Sequence, residues 1–195
     1  MAEQLGLFAS DQSLPEGFKY AADVLSRQEE TDALERIKVL PFREFEFHGF
    51  TGKRRVVSFG WRYDFDERVL HKTSDIPDFL MTLRESAARF AGMEAEALQH
   101  ALVTEYSAGA AIGWHRDKAE FGEVVGISLL ASCVFRLRRK AGEKWERVSV
   151  IAAPRSMYLL SGPSRTEWEH SIPPVDSLRY SVTFRNLTEV ERSSS

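Results

Sequence analysis

Two residues in the segment AIGWHRDKAEFG, positions 111–122, have types and spacing that suit metal chemistry. His115 and Asp117 are two positions apart, and alternate residues of an extended backbone point to the same face. A third candidate, His170, follows much later, in the segment EWEHSIPP. Two histidines and one carboxylate form the facial triad that binds non-haem Fe(II) and leaves positions open for a co-substrate and dioxygen. These three residues are therefore a candidate Fe(II) site.

The segment RYSVTFR, positions 179–185, adds a second chemical feature. In a strand, one face of this segment carries four polar residues, Arg179, Ser181, Thr183 and Arg185. Burying arginine is costly unless an anion pairs with it, and the guanidinium fork suits a carboxylate. A dicarboxylate such as 2-oxoglutarate would supply that charge. The alternative is an exposed edge strand with two solvated arginines.

These residues lie in a β-rich region that begins near residue 100. It contains seven or eight short strand-like runs separated by glycine, proline and serine. Three elements are predicted before this region. The segment 26–42 contains a short helix that ends before Pro41, and the segment 45–65 forms a hairpin that turns at Gly52. A second helix lies in 74–92. Helices followed by many short strands indicate an α+β fold, an antiparallel sandwich or barrel with the helices buttressing one sheet.

Length and composition favour one ordinary globular domain. The chain has 195 residues, of which 43% are hydrophobic and 28% charged, with a net charge of −3. This charge argues against non-specific coating of nucleic acid but leaves a local basic patch open. The single cysteine, Cys133, excludes an intramolecular disulfide and a cysteine-based zinc site. No apolar segment has the length of a membrane span or the form of a signal peptide, so a cytoplasmic location is expected.

The remaining histidines carry no such pattern. His48, His71 and His100 have no chemical partner at a telling spacing. We expect each of them to be a surface histidine or a satisfied structural one.

Three segments together, GWHRDK, EWEHSIPP and LRYSVTFR, resemble the AlkB family of Fe(II)- and 2-oxoglutarate-dependent dioxygenases. The family pattern is His-x-Asp, a distant histidine and Arg-x5-Arg. The earlier segment GFTGKRRVVSFGWRYDF resembles the nucleotide-recognition segment of the family. The resemblance implies one AlkB-like domain over 1–195, with a double-stranded β-helix (jelly-roll) core. Its expected parts are an extended arm at 1–24, a substrate-recognition segment at 45–65 and the catalytic core at 100–188.

The resemblance also implies a role for each motif residue. The three triad residues would be the iron ligands. Arg179 would hold the distal carboxylate of 2-oxoglutarate, Arg185 would support the end nearer the metal, and Tyr106 would hydrogen-bond the same co-substrate. Thr104 and Ser181 stand where better-known members have asparagine. Both keep a hydroxyl group, so we expect co-substrate binding to survive.

The reaction that the resemblance implies is oxidative demethylation of a nucleobase. 2-Oxoglutarate is converted to succinate and CO2, an N-methyl group is hydroxylated, and formaldehyde is released. Cations that bind phosphate and rings that stack on a flipped base would hold the substrate. The candidates are Phe50, Lys53, Arg54, Arg55, Phe59, Trp61 and Tyr63 around the hairpin, and Arg136, Arg138, Arg139 and Lys140 later in the chain. The alternative is solvated charge on a hairpin over core aromatics.

One further position bears on which base is selected. The family usually places an acid just after the metal aspartate, whereas in this chain Ala119 precedes Glu120. Glu120 is therefore the candidate for reading the base.

Three functions follow as alternatives. The first is a monomeric oxidative demethylase of N-alkylated bases in DNA or RNA, which uses Fe(II), 2-oxoglutarate and O2 and has no membrane partner. The second is an AlkB-type oxygenase that acts on a protein side chain or hydroxylates a tRNA base without demethylation. The third is a non-enzymatic β-barrel binding module in which the motif residues are structural.

Overall fold

The computed structural model describes residues 13–47 and 50–188, with side chains outside 45–52. Over these residues the helices are α1 Arg27–Ile37, α2 Met81–Ala91 and α3 Gly162–Thr166. The strands are β1 Phe18–Ala21, β2 Arg43–Phe47, β3 Phe50–Phe59, β4 Trp61–Asp64, β5 Val69–Lys72, β6 Leu98–Tyr106, β7 Ile112–His115, β8 Phe121–Leu129, β9 Cys133–Ala141, β10 Lys144–Ala152, β11 Met157–Leu160, β12 Glu169–Ile172 and β13 Arg179–Leu187. None of these helices is long and apolar enough to cross a lipid bilayer.

The strands form two antiparallel sheets that pack against each other. The larger sheet has the order β1-β11-β8-β13-β6-β3-β2, and the smaller one has the order β10-β9-β12-β7. Val124 and Leu160 of the larger sheet share a buried apolar cluster with Phe135 and Leu137 of the smaller one. Strands β4 and β5 form a separate hairpin. This is the jelly-roll architecture predicted from the sequence.

Helices α1 and α2 lie within the two segments predicted to be helical and cover the larger sheet, whereas the short α3 was not predicted. Ser26 caps α1 with a capping box, in which its Oγ accepts from Glu29 N at 3.1 Å and its N–H donates to the Glu29 carboxylate at 2.7 Å. Helix α2 ends at Gly92, whose φ of 75° is in the left-handed region that favours glycine. Apolar residues of both helices share a core cluster with the outer face of the larger sheet.

Strand β13 has the two faces that alternation predicts. Tyr180, Val182 and Phe184 are buried in the cluster beneath the helices. Arg179 and Arg185 are also buried, on the face toward the smaller sheet. The reading of RYSVTFR as an exposed edge strand is therefore wrong, because β13 lies between β6 and β8.

The predicted hairpin turn at Gly52 is wrong. Phe47 pairs with Phe50, so the chain reverses between these two residues, and Gly52 lies inside β3. Glu44 pairs with Arg55 but Glu46 pairs with Thr51, so the register shifts by two residues between them. The stretch of β3 that contains Gly52 therefore has more residues than the stretch of β2 opposite it. Glycine is favoured at such a bulge because it has no side chain to pack, so its presence did not mark the turn.

The segment predicted as an extended arm lies only partly within the described residues, since 1–12 fall outside them. Its described part includes β1, which pairs with β11 at the edge of the larger sheet. The Phe18 ring stacks on Phe135 of the smaller sheet, with centroids 6.1 Å apart. The described part of this segment therefore belongs to the barrel.

Candidate active site

The structure brings the three predicted iron ligands together at one end of the smaller sheet. His115 on β7 and His170 on β12 are register partners, and their ring centroids lie 4.2 Å apart. Asp117 follows two residues after His115, and its Oδ2 lies 3.8 Å from Nε2 of His170. The pairing of β7 with β12 therefore closes the sequence gap between the His-x-Asp pair and the distant histidine.

The free atoms of this group suit a metal ion. Nδ1 of His115 donates to the Gly113 carbonyl oxygen at 2.9 Å, which leaves Nε2 as the nitrogen with a lone pair. The Asp117 Oδ2 atom is buried and has no hydrogen-bond partner among the described residues. A buried carboxylate oxygen without a partner is costly. Two imidazole nitrogens and one carboxylate oxygen are the donor set that non-haem Fe(II) uses.

The protonation states also suit ligation. Burial, with His115 as a second cause, lowers the pKa of His170 to about 3, so this ring is neutral near pH 7. Burial alone would raise the pKa of the Asp117 carboxyl, but the Arg185 guanidinium keeps it below its usual value. A neutral imidazole and an ionised carboxylate are the forms that bind metal.

Arg185 holds the aspartate in place. Its Nε and Nη2 donate to Asp117 Oδ1 at 3.1 and 2.8 Å. Its Nη1 lies 3.4 Å from Nδ1 of His100, whose pKa is lowered by burial and by Arg185 itself. His100 is thus a buried structural histidine, as the sequence predicts. Arg185 occupies one oxygen of Asp117 and leaves Oδ2 free. It therefore contacts the side chain of a predicted iron ligand and not only the space expected for the co-substrate.

We expect Arg185→Gln to weaken iron binding about 10- to 100-fold, the usual cost of losing an outer partner of a metal ligand. The measurement is the Fe(II) concentration that gives half-maximal succinate formation. Arg116→Gln is the control, because the exposed Arg116 lies between the two ligands in sequence but donates to the Thr166 carbonyl. Wild-type iron dependence in the Arg185 variant would mean that Asp117 needs no such support.

Arg179 forms a second polar centre on the same inner face. Only 1% of the residue is exposed, its Nε and Nη2 donate to Ser128 Oγ at 3.3 and 3.2 Å, and its Cζ lies 4.7 Å from the centroid of the Tyr106 ring. Its Nη1 is buried without a partner, and no carboxylate of the described residues pairs with it. A buried cation without a counter-charge is unfavourable. The site therefore suits an anionic ligand.

Hydroxyl groups line the space beside this arginine. Thr104 and Ser181 are register partners on β6 and β13 and are only 3% and 5% exposed. The Tyr106 hydroxyl lies 3.5 Å from Ser181 Oγ. These donors and the free Nη1 fit a carboxylate group. The AlkB resemblance implies that Arg179 holds the distal carboxylate of 2-oxoglutarate and that Tyr106 hydrogen-bonds the same co-substrate.

Comparison with known proteins shows the family of the chain. The family model for the 2OG-Fe(II) oxygenase superfamily matches residues 17–185. The chain belongs to this superfamily. It is a dioxygenase that depends on Fe(II), 2-oxoglutarate and O2, and the resemblance to AlkB proteins is confirmed. The binding-module alternative is therefore wrong.

The sequence of the oxygenase is similar to those of two proteins named for ALKBH8. It is 26% identical over 164 residues to an Arabidopsis thaliana protein named alkylated DNA repair protein ALKBH8 homolog, over 71% of this chain and 47% of that one. It is 25% identical over 183 residues to the Mus musculus tRNA (carboxymethyluridine(34)-5-O)-methyltransferase ALKBH8, over 89% of this chain and 27% of that one. The chain thus spans less than half the length of these relatives.

Solved structures share the fold of the oxygenase. The structure of OsALKBH1 matches with a TM-score of 0.68 at 17% identity, over 90% of this chain and 99% of that one. A Trichoplax adhaerens prolyl hydroxylase, solved with a peptide of hypoxia inducible factor, matches with a TM-score of 0.65 at 15% identity, over 93% and 89%. These likenesses confirm the jelly-roll fold.

The predicted basic cluster of Lys53, Arg54 and Arg55 lies on β3, and its side chains are divided between the two faces of the larger sheet. Arg55 donates to the Glu105 carboxylate at 2.8 Å, and Glu105 also accepts from the Tyr180 hydroxyl. This pair lies on the side of the sheet that faces the helices. Arg54 is the register partner of Tyr106 on the inner side, and its burial lowers its pKa. Lys53 is exposed.

The later basic residues of the oxygenase lie away from the iron ligands. Strand β9 turns Phe135 and Leu137 inward, so Arg136 and Arg138 point to the outer face of the smaller sheet. The guanidinium of Arg138 lies 4.4 Å from the Trp114 ring and bonds to Glu169 at 2.6 Å. Arg139 forms ion pairs with Glu146 and Glu167, and Lys140 is exposed. The structure does not bring these four cations to the iron site.

The β4–β5 hairpin of the oxygenase reaches the segment that carries the metal aspartate. The ammonium of Lys118, next to Asp117, lies 5.1 Å from the centroid of the Tyr63 ring and 5.3 Å from that of Phe65. Tyr63 is among the residues predicted from the sequence, whereas Phe65 and Lys118 are not. The same-face spacing of Tyr63 and Phe65 in a strand was the signal available.

The other predicted substrate residues have varied positions. Trp61 is partly buried on β4, and Phe59 packs against the core beneath the helices. Glu120 is partly buried after Asp117, and its backbone carbonyl accepts from Thr188 N–H. The side chain of Phe50 lies outside the described ones.

A buried arginine that the sequence analysis missed fixes the segment after Asp117. Arg165 on α3 donates to the backbone carbonyls of Lys118, Phe121 and Gly122 at 2.6 to 2.7 Å. Its pairing partners lie more than forty positions away in sequence, so no local pattern marks it. Arg165 holds the loop that connects the metal aspartate to β8.

A separate polar cluster lies on the surface of the β4–β5 hairpin. Asp64, Glu67 and His71 place their ligand-type atoms within 4.8 Å of one another. The Asp64 Oδ1 atom already accepts from two backbone N–H groups of the turn, and His71 contacts Glu67 at 2.8 Å. His71 is thus a surface histidine, as the sequence predicts.

Proposed function

We propose that this oxygenase removes alkyl groups from ring nitrogens of nucleobases in DNA or RNA by hydroxylation and release of an aldehyde. The observation that carries the proposal is the position of the Tyr63 and Phe65 rings beside Lys118, one residue from the metal aspartate. An enzyme that oxidises a base must hold it out of the stack, and aromatic rings with a nearby cation suit this task. The chain offers both at the rim of the iron site.

The roles of the residues follow from their contacts. Fe(II), bound with 2-oxoglutarate and O2, supplies the oxidation that hydroxylates the alkyl carbon as 2-oxoglutarate becomes succinate and CO2. His115, Asp117 and His170 would hold the metal, and Arg185 orients Asp117. Arg179 would neutralise the far carboxylate of the co-substrate. The larger and smaller sheets enclose this space and so limit the access of water to it.

A second candidate is hydroxylation of a tRNA base without demethylation. The likeness to the mouse protein named tRNA (carboxymethyluridine(34)-5-O)-methyltransferase ALKBH8 favours it. Lys118 and Ala119 follow Asp117, so the chain has no carboxylate just after the predicted metal aspartate, where the AlkB family usually has an acid that selects the base. The second candidate keeps the same iron site and differs in the base that enters it.

One experiment separates the two candidates. The purified protein is incubated with Fe(II), 2-oxoglutarate and a panel of N-methylated DNA and RNA oligonucleotides, and also with tRNA. Demethylation predicts succinate and formaldehyde in equal amounts with a methylated oligonucleotide. Succinate with tRNA, a mass gain of one oxygen on the RNA and no formaldehyde would favour hydroxylation instead. Succinate that rises with neither substrate would reject a nucleic acid as the target.

We expect Tyr63→Ala to raise the Michaelis constant for the best oligonucleotide at least about fivefold, since a lost stacking ring costs about 1 to 3 kcal/mol per base. The slow conversion of 2-oxoglutarate without substrate should stay at the wild-type rate, because Tyr63 contacts neither predicted binding centre. Trp145→Ala is the control, since this half-exposed ring lies on the outer face of the smaller sheet. If Trp145→Ala weakens binding more than Tyr63→Ala does, the nucleic acid lies on that outer face.

A further inference from the structure

Tyr158 is a buried tyrosine that none of the roles above uses. It lies on β11 and faces the smaller sheet, where its ring centroid is 4.4 Å from that of Phe135. Phe135 in turn stacks on the ring of His170 at 5.4 Å. The Tyr158 side chain is packed between aromatic residues, yet the residue keeps some accessible surface.

Gly126 shows where the phenol end of Tyr158 lies. A Cβ atom at Gly126 would fall 2.1 Å from Cζ and 2.4 Å from the hydroxyl oxygen of Tyr158. No real Cβ has such contacts, so β8 needs glycine here for the ring to lie against its backbone. The hydroxyl therefore lies over β8, the strand between β11 and β13.

The sheet register then places this hydroxyl between the two polar centres. Gly126 pairs with Tyr158 on one side and with Thr183 on the other. Two residues along β8 from Gly126 is Ser128, the partner of Arg179, and two residues along β13 from Thr183 is Arg185, the partner of Asp117. Same-face residues two apart in a strand are separated by roughly 6 to 7 Å. The Tyr158 hydroxyl thus lies within reach of a small molecule that bridges both centres.

The hydroxyl group can act as a donor there. Burial raises the pKa of Tyr158, with Tyr106 and Asp117 adding to the effect, so the phenol stays protonated. The side-chain hydrogen bonds among the described residues leave its O–H without a protein acceptor. In contrast, the hydroxyl groups of Tyr106, Tyr20 and Tyr180 each take part in a hydrogen bond within the protein.

We propose that Tyr158 is a further co-substrate-binding residue whose hydroxyl donates a hydrogen bond to the 2-oxoglutarate carboxylate that Arg179 binds. The proposal rests on the assignment of Arg179 to that carboxylate. Thr104 and Ser181 have short side chains, whereas the Tyr158 phenol extends into the same space. The carboxylate would then receive a charge-assisted bond from Arg179 and a second bond from Tyr158.

The test is direct binding of 2-oxoglutarate by the Tyr158→Phe variant. Calorimetric titration of the Mn(II)-loaded protein gives the dissociation constant without turnover. We expect this constant to rise about tenfold or more, the usual effect of losing a hydrogen bond to a charged group. Tyr20→Phe is the matched control, because Tyr20 pairs with Tyr158 across β1 and β11 but its hydroxyl accepts from Ala153 N–H. This control should bind like wild type, and equal losses in both variants would overturn the proposal.

A second titration uses 2-oxobutyrate, which keeps the keto acid and lacks the distal carboxylate. We expect Tyr158→Phe and wild type to bind it equally, and an equal loss for both ligands would overturn the proposed contact. The Arg179→Lys variant tests the assignment of Arg179 to the distal carboxylate. If this variant binds 2-oxoglutarate like wild type, Arg179 does not hold that carboxylate. If Arg179→Lys weakens binding and Tyr158→Phe does not, only the role of Tyr158 is rejected.

Discussion

Asp117→Ala is expected to abolish 2-oxoglutarate turnover, with a loss well above the roughly 100-fold that removal of an outer partner can cause. The change removes the buried Oδ2, which has no protein partner, and also the Oδ1 that accepts two bonds from Arg185. Arg185 would be left as a buried cation without its acid, which is strongly destabilising. The measurements are succinate formation at saturating Fe(II), the iron content of the purified protein and its thermal unfolding.

Asp64→Ala is the matched control for this variant. Asp64 belongs to the surface cluster with Glu67 and His71, so it has similar chemistry outside the barrel. We expect this variant to keep wild-type iron content and turnover. If Asp64→Ala loses iron while Asp117→Ala retains it, the metal binds at the hairpin surface and the predicted triad is wrong.

Arg179→Met is expected to raise the half-saturating concentration of 2-oxoglutarate at least about 30-fold, since losing one partner of a buried charge pair costs roughly 2 to 5 kcal/mol. Methionine fills much of the same volume without a charge. Because Arg179 has no acidic partner among the described residues, the ligand-free variant should unfold at a temperature no lower than wild type. Added 2-oxoglutarate should then stabilise the wild type but not the variant.

Arg84→Met controls for the loss of a partly buried arginine. Arg84 lies on α2 and donates to the Leu98 carbonyl behind the larger sheet. It should leave the 2-oxoglutarate requirement unchanged. An unchanged requirement in Arg179→Met would place the dicarboxylate elsewhere in the barrel, and a large drop in the ligand-free unfolding temperature would show that the arginine stabilises the fold by itself.

The parts of this site that a local pattern determines could be predicted from the sequence. The two-residue spacing of His115 and Asp117 fixes their relation within one stretch of chain. The alternation in β13 fixes which of its residues face inward, and the capping box of Ser26 marks the start of α1. Each of these depends on residues a few positions apart, so short-range geometry was sufficient.

The substrate residues were harder to predict because they depend on distant contacts. Arg55 looks like a free cation on a turn until β3 pairs with β6 and places it against Glu105. For Arg136 and Arg138 a usable signal existed, since Phe135 and Leu137 alternate with them and mark the inner face. The prediction for Arg136 and Arg138 followed the positive charge of the segment and not its alternation of apolar and basic residues.

Residues that act through tertiary packing left no local trace at all. Arg165 reaches one backbone carbonyl of the loop before β8 and two at the start of β8, all more than forty positions earlier in the chain. Tyr158 depends on the missing side chain of Gly126 on a neighbouring strand. Neither relation can be read before the register of the larger sheet is known.

The pairing of β1 with β11 has a consequence for how the protein is made. During synthesis β1 leaves the ribosome long before β11, so its apolar residues have no sheet partner while most of the domain is still being translated. Topologies dominated by such distant pairings fold slowly and expose unpaired strands meanwhile. His115 and His170 also join only when β12 has been translated. The two predicted histidine ligands can therefore come together only late in synthesis, and the unpaired apolar strands remain exposed until then.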